Sequence, residues 1–131
     1  MQECRFEGDT DGDTAHFGAY CYDKLVGVLS VYLAQNQSIP APLGWQLRAM
    51  ATEEHVRGKG YGAKLMERAE SYVVGKGGRY IWANARLHAV SFYEKMGYAR
   101  VGQTFHIPDV GPHILVCKNL GKRGGDQERT Y

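Results

Sequence analysis

Residues 57–62 read Arg57-Gly58-Lys59-Gly60-Tyr61-Gly62 and join an apolar, strand-like segment to a strongly amphipathic helical pattern. Glycine lacks a Cβ atom, so three glycines in five positions let the backbone turn sharply and approach a ligand closely. The N–H groups that follow belong to the first turn of a helix, where unpaired donors and the helix dipole favour an anion. Arg57 and Lys59 add positive charge at the same place. This stretch therefore predicts a seat for a diphosphate group.

Composition indicates an ordinary protein of one domain. The chain has 131 residues, of which 44% are hydrophobic and 23% charged, as is typical of globular domains. A net charge of +2 is too small to indicate nucleic-acid binding. No apolar run approaches bilayer length and no signal-peptide core is present, which favours a cytoplasmic protein without membrane partners. The widely spaced Cys4, Cys21 and Cys117 predict free thiols in a reducing compartment.

Hydrophobic periodicity predicts six strands and two helices. The strands are expected at residues 15–22, 25–33, 45–51, 80–85, 98–105 and 113–118. The first helix follows the glycine stretch and ends at residues 75–78, and the second covers residues 88–96. The order β-β-β-α-β-α-β-β indicates an α/β (α+β) domain with a mixed sheet over residues 1–118, its core in residues 14–118. The strands on either side of the first helix should be parallel neighbours, and the polar tail, residues 119–131, is predicted to be flexible.

Other phosphate and metal motifs fit the sequence poorly. A P-loop needs a Lys-Ser/Thr pair at the helix start, where this chain has Gly62-Ala63-Lys64-Leu65. A dinucleotide fold needs G-x-G-x-x-G and an acidic residue that closes a following strand, and neither is found. Asp9, Asp11 and Asp13 begin like a calcium loop, but Thr14 and Tyr20 stand where the turn glycine and the bidentate glutamate are needed. We therefore expect a solvated turn at residues 7–14 and no metal site.

Two motifs occur in order along the chain. The first is Arg57-x-x-Gly60-x-Gly62, and the second combines Asn84 with Ala89, Phe92-Tyr93, Gly97 and Tyr98. The first resembles the acetyl-CoA pyrophosphate loop R/Q-x-x-G-x-G/A of the GCN5-related N-acetyltransferases, the GNAT superfamily. The second resembles that family's segment N-x(4)-A-x-x-F/L-Y-x-x-x-G-F/Y. The resemblance covers residues from about 14 to 118.

The resemblance implies a fold and a cofactor. The fold would be a mixed, mostly antiparallel twisted sheet with helices on both faces, whose parallel strands splay into a V-shaped gap. The pantetheine arm of acetyl-CoA would lie in this gap and pair with the backbone of Met50-Ala51-Thr52, much as an added strand would. The pyrophosphate would bind N–H groups of residues 58–63, and Asn84 would hold the pantetheine amides. Lys95 would reach the 3′-phosphate of the adenosine or, alternatively, remain a solvated helix charge.

The resemblance also implies chemistry, in which an amine attacks the thioester directly within a ternary complex. Tyr93 takes the position of the family's tyrosine that protonates the departing thiolate, and a plain core aromatic beside Phe92 is the alternative. The amine must first lose a proton, because amines of this kind are charged at neutral pH. Histone-type members carry a carboxylate where this chain has Gln46, which cannot act as a base. The open candidates are His113, His106 and a chain of water molecules.

We therefore expect an acetyl-CoA-dependent N-acetyltransferase that acts on a primary amine of a small molecule or peptide. The family's N-terminal strand and helices wall the acceptor site, whereas residues 1–13 would supply a short strand at most. A shallow acceptor site would follow, or a homodimer whose second subunit covers it. The alternative function is a non-catalytic CoA-binding or regulatory module of the same fold, which Gln46 and the short N-terminus favour.

Overall fold

One seven-stranded sheet organises the part of the chain that the computed structural model describes, residues 4–22, 24–39, 42–52 and 60–120. The strand order is β1-β2-β3-β4-β5-β7-β6, and only β4 and β5 are parallel neighbours. The strands are β1 (Cys4–Asp11), β2 (Thr14–Cys21), β3 (Lys24–Leu33), β4 (Gly44–Thr52), β5 (Tyr80–Arg86), β6 (Ala99–Ile107) and β7 (Gly111–Asn119). The helices are α1 (Tyr61–Gly75) and α2 (Val90–Lys95), and a 3₁₀ turn at Leu87–Ala89 precedes α2. The predicted mixed sheet and its parallel pair are confirmed.

Strand β1 corrects the expectation for the N-terminus. We expected a solvated turn at residues 7–14, yet Cys4–Asp11 pairs with β2 along its whole length. Gly12, with φ of 63°, provides the tight connection to β2, a backbone conformation that glycine adopts readily. The strand was missed because it lies at the sheet edge with mostly exposed side chains; among residues 5–10, whose side chains are described, only Phe6 packs against the core. An N-terminal strand of the kind that the resemblance implies is therefore present, and a short turn connects it to β2.

Both described helices pack on one face of the sheet, which corrects the expectation of helices on both faces. Side chains from α1, α2 and one face of the sheet form a single apolar cluster. The sheet order explains this arrangement: β4 to β5 and β5 to β6 are both parallel crossovers in the same direction across the sheet. Right-handed crossovers in one direction place their helices on the same side. We call this side the helix face and the opposite side the open face.

The β3–β4 loop, residues 34–39, covers part of the open face. Its Ala34 carbonyl accepts a hydrogen bond from Trp82 Nε1 at 2.8 Å, and the Asn36 N–H donates to the Tyr80 hydroxyl at 3.2 Å. A second, smaller apolar cluster forms beneath the loop around Tyr80, Trp82 and Leu115. The loop thus covers the open face where β4 and β5 are paired.

The structure shows the bonding state of Cys21 and Cys117, and the described residues end before most of the C-terminal tail. Cys21 is disulfide-bonded and Cys117 is a free thiol, so the expectation of free thiols is wrong at Cys21. Cys4 lies opposite Cys21 in the β1–β2 ladder, a register that the spacing of the cysteines alone could not reveal. The predicted flexible tail lies outside the described residues from position 121 onwards. None of the helices in the described ranges is long and apolar enough to cross a membrane.

Candidate active site

The parallel strands β4 and β5 diverge after a short paired segment. Their ladder consists of Gly44↔Tyr80, Trp45↔Ile81 and Gln46↔Trp82. Beyond it, β4 runs on to Thr52 and β5 to Arg86, and each stays paired on its outer side, β4 with β3 and β5 with β7. The backbone of residues 47–52 therefore has no strand partner on the β5 side in the described structure. This is the V-shaped gap that the resemblance implies.

A β-bulge in β4 gives the physical reason for the divergence. Between the pairs Val28↔Ala51 and Ser30↔Arg48, β3 advances from residue 28 to 30 while β4 recedes from 51 to 48, so β4 carries one extra residue. A bulge bends its strand and increases the local twist, which carries β4 away from β5. At the paired end, Gly44 allows close approach, because a Cβ there would overlap the Tyr80 ring. Sequence analysis missed the bulge, since no residue type marks it.

Helix α1 begins at Tyr61, within the glycine stretch, and Gly60 is its N-cap. Gly60 adopts the left-handed conformation with φ of 87°, provides no side-chain cap, and accepts the Lys64 N–H at 3.1 Å. The N–H groups of residues 61–63 have no partner inside the helix, as in any first turn. The Tyr61 side chain is buried, hydrogen-bonded to the Cys21 sulfur at 3.3 Å with its ring centroid 6.2 Å from that of Phe6. Tyr61 thus anchors the helix start and can offer a ligand only its backbone, while residues 57–59 lie outside the described ranges.

Tyr93 projects from α2 into the core on the helix face. It is 7% exposed, and its ring packs edge-on against Phe92 and Tyr98, with centroids 5.7 Å and 5.6 Å away. No hydrogen bond joins its hydroxyl to another described residue. Burial raises the pKa of Tyr93 to about 12, because the interior disfavours the phenolate. The hydroxyl therefore keeps its proton at neutral pH.

A polar network fixes the end of α2 against α1 and β7. Tyr98 donates its hydroxyl proton to Glu70 Oε2 at 2.9 Å, and Lys118 Nζ donates to Glu70 Oε1 at 3.0 Å. Lys118 Nζ also donates to the Met96 carbonyl, at the C-cap of α2, at 2.9 Å. Burial, then the neighbouring Glu70 charge, raises the pKa of Tyr98 far above its ordinary value. This network, which sequence analysis did not find, holds the helix that carries Tyr93.

The remaining predicted residues are distributed over both faces. The register places Asn84, exposed, and His113, buried, on the open face, away from Tyr93. The Gly111 carbonyl lies 2.8 Å from His113 Nδ1 and can only accept, so Nδ1 carries a proton, and in the neutral imidazole the lone pair is on Nε2. The Phe105 ring stacks on His113 at 6.0 Å. His106 pairs with Pro112 on the helix face, and Lys95 is exposed in the last turn of α2.

Comparison with known protein families matches residues 1–98 to the Acetyltransferase (GNAT) family. The chain belongs to this family. It is an acyltransferase of the N-acetyltransferase class, and the open edge of β4 and the uncapped N-terminus of α1 suit the acetyl-CoA that the family uses. Among the described residues, no group of three His, Cys, Asp or Glu side chains is placed to hold a metal ion.

Similar proteins agree in fold. The chain is 29% identical over 120 residues to the uncharacterized N-acetyltransferase YitI of Bacillus subtilis (strain 168), covering 92% of this chain and 80% of that protein. It resembles an aminoglycoside 6'-N-acetyltransferase solved with coenzyme A at a TM-score of 0.70 and 23% identity, over 85% of this chain and 75% of the other. It resembles an aminoglycoside 6'-acetyltransferase type Ii at a TM-score of 0.68 and 26% identity, over 85% and 72%. The fold of the described sheet and helices is thus shared with known acetyltransferases.

Proposed function

We propose that this enzyme transfers the acetyl group of acetyl-CoA to a primary amine by direct attack within a ternary complex. The observation that carries the proposal is the end of the β4–β5 ladder at Gln46↔Trp82. It leaves an edge of β4 without a strand partner in the described structure, and α1 begins with N–H groups that the helix itself does not pair. An extended chain of amides suits the first, and a diphosphate suits the second.

We assign the residues of the cofactor seat accordingly. Pantetheine lies along Met50-Ala51-Thr52, and the diphosphate binds the stretch Arg57-Gly58-Lys59-Gly60-Tyr61-Gly62 through backbone N–H groups and two cationic side chains. Asn84 extends from the opposite lip of the gap, where its amide can donate and accept hydrogen bonds. Lys95, exposed at the end of α2, reaches the 3′-phosphate.

Two side chains on opposite faces of the sheet move the protons. His113 Nε2 accepts one proton from the ammonium form of the acceptor on the open face. The neutral nitrogen then bonds to the acetyl carbon as the carbon–sulfur bond breaks, and the second nitrogen proton leaves to solvent. Tyr93, on the helix face, gives its hydroxyl proton to the departing sulfur and regains one from solvent. A buried thiolate would be costly, and a positioned general acid accelerates such a step by roughly 10²–10⁴-fold.

Release of free thiol from acetyl-CoA, measured with a panel of amines, tests the proposal. The wild type should release thiol only when an amine is present, with the N-acetyl product detected by mass. Tyr93→Phe should bind CoA normally and lose at least about 100-fold in kcat. Tyr22→Phe, which removes the same atom from a side chain that is 62% exposed, should match the wild type. Tight CoA binding with no turnover on any amine would overturn the proposal in favour of a CoA-binding module.

A further inference from the structure

The open face beside the gap is cationic and contains no acidic strand residue. On the β4 lip the register places Gln46 and Arg48 on this face, and on the β5 lip it places Asn84 and Arg86. Both arginines are exposed, and neither forms an ion pair with any described residue. The Arg48 guanidinium lies 5.7 Å from the centroid of the Tyr32 ring. This cation–π contact limits the orientations of Arg48, and no hydrogen bond joins its guanidinium to another residue in the described ranges.

Acidic side chains are absent from the two described strands that flank the gap, β4 and β5. Within the seven strands they occur only on β1, the far edge strand, and the loop over the open face has none. Those outside the strands are in turns or helices: Asp13, Glu67, Glu70, Glu94 and Asp109. Asp9 pairs with His16, His16 pairs with Ser30, and Ser30 pairs with Arg48. Three strand spacings therefore separate Asp9 from Arg48. Three strand spacings amount to about 14 Å, beyond the roughly 8 Å over which charges act at physiological ionic strength.

We propose that the acceptor is an amine that also carries an anionic oxygen group, a carboxylate or a phosphate, which Arg48 and Arg86 bind on the open face. This inference rests on the proposed acetyl transfer, because it describes the second substrate of the same site. Guanidinium groups bind both oxyanions through paired N–H donors. A polycationic acceptor, such as the aminoglycosides named for the structural neighbours, would meet two arginines that form no ion pair within the described structure, and no carboxylate on these strands.

Matched pairs of acceptors test the inference. The carboxylate pair is 4-aminobutanoate with 4-aminobutanamide, the phosphate pair is O-phosphoethanolamine with ethanolamine, and kanamycin is the polycation. We expect the anionic member of at least one pair to have the higher kcat/KM by about tenfold or more, as for a charge-assisted hydrogen bond. The pair that shows this difference identifies the bound group as a carboxylate or a phosphate. The preference should weaken as salt is added.

Arginine variants connect the preference to the residues. Arg48→Gln combined with Arg86→Gln should bring the anion preference close to one, with the KM for acetyl-CoA unchanged. The control is Arg79→Gln, an exposed arginine immediately before β5, at the opposite end of the strand from Arg86. It removes the same charge and should keep the preference.

The outcomes separate this inference from the proposed function. Acetylation without a preference for the anion, a preference for kanamycin, or a preference that survives the double substitution would overturn the anionic acceptor alone. A raised KM for acetyl-CoA in the double variant would also overturn it, because the arginines would then serve the cofactor. No acetylation of any amine would overturn both.

Discussion

Gln46 lies directly opposite Trp82, and this is the last pair in the parallel ladder between β4 and β5. On the paired side of this point, the residue 34–39 loop covers the open face through Ala34 and Trp82. On the other side, β4 and β5 diverge, and the open-face positions of their two lips are polar or charged. The features assigned to the active site, including the free edge of β4 and the two arginines, lie on the diverging side.

The left-handed backbone of Gly60 should matter for both stability and cofactor binding. A side chain at φ of 87° costs about 1–2 kcal/mol even though no atom would lie within 4 Å of the new Cβ. Gly60→Ala should therefore lower the free energy of unfolding by about 1 kcal/mol and weaken acetyl-CoA binding. Urea unfolding and calorimetric titration measure the two effects.

Gly75→Ala is the matched control for this substitution. Gly75 ends α1 in equally open space and has no positive φ, so alanine there should raise the free energy of unfolding by up to about 1 kcal/mol. Equal changes in the two variants would show that the backbone of Gly60 is not constrained.

Burial of Tyr93 predicts a loss of stability at high pH. Its pKa is raised from 10.0 to about 12, so the native state holds the proton more tightly than the unfolded chain does. This contribution is complete below pH 10 and is lost as the pH rises through 12, a decline of up to about 3 kcal/mol. In a plot of the free energy of unfolding against pH, Tyr93→Phe should reduce the decline between pH 10 and pH 12. Tyr98, whose pKa is also raised, should leave a residual slope. If the free energy of unfolding fell with pH equally in Tyr93→Phe and in the exposed control Tyr22→Phe, burial of Tyr93 would not be the cause of the decline.

Two ion pairs of equal length should differ in strength because they differ in burial. Lys118–Glu70 and Arg100–Glu94 both measure 3.0 Å, but their side chains are 28% and 14% exposed in the first pair and 57% and 44% in the second. Double-mutant cycles of thermal unfolding should give a coupling of about 1–2 kcal/mol for the first pair and below about 0.5 kcal/mol for the second. A coupling at Lys118–Glu70 as small as the exposed one would mean that the network does not fix α2.

The base assignment predicts different effects for two histidines on opposite faces. His113→Gln should reduce kcat by about 100-fold or more, because the Gln amide can still donate to the Gly111 carbonyl but cannot take a proton from the amine. His106→Gln, on exposed β6, should stay within about twofold of the wild type. Full activity in a folded His113→Gln protein would leave a chain of water molecules as the base.

The sequence predicted the sheet and its parallel pair because strand alternation and the helix pattern after the glycines are local signals. It did not reveal β1, whose exposed edge residues lack alternation, nor the β4 bulge, which is visible only in the register of Ser30 and Arg48. The shared face of the two helices was missed because it depends on sheet order, which a linear pattern does not contain.

The site was predictable only in part, for a similar reason. The motifs placed Tyr93 and Asn84 on the correct elements, since motif spacing reflects local geometry. The Tyr98–Glu70–Lys118 network joins residues far apart in the chain, so no sequence spacing could indicate it. The two lone arginines beside the gap likewise became visible only when the strands were placed next to each other.

A crystal structure of the protein with CoA tests the central claim most directly. The account predicts pantetheine between β4 and β5, hydrogen-bonded to the backbone of residues 50–52, with the diphosphate on N–H groups of residues 58–63 and the sulfur near the Tyr93 hydroxyl. CoA bound elsewhere, or a β4–β5 ladder that continues past Gln46↔Trp82 and closes the gap, would contradict it.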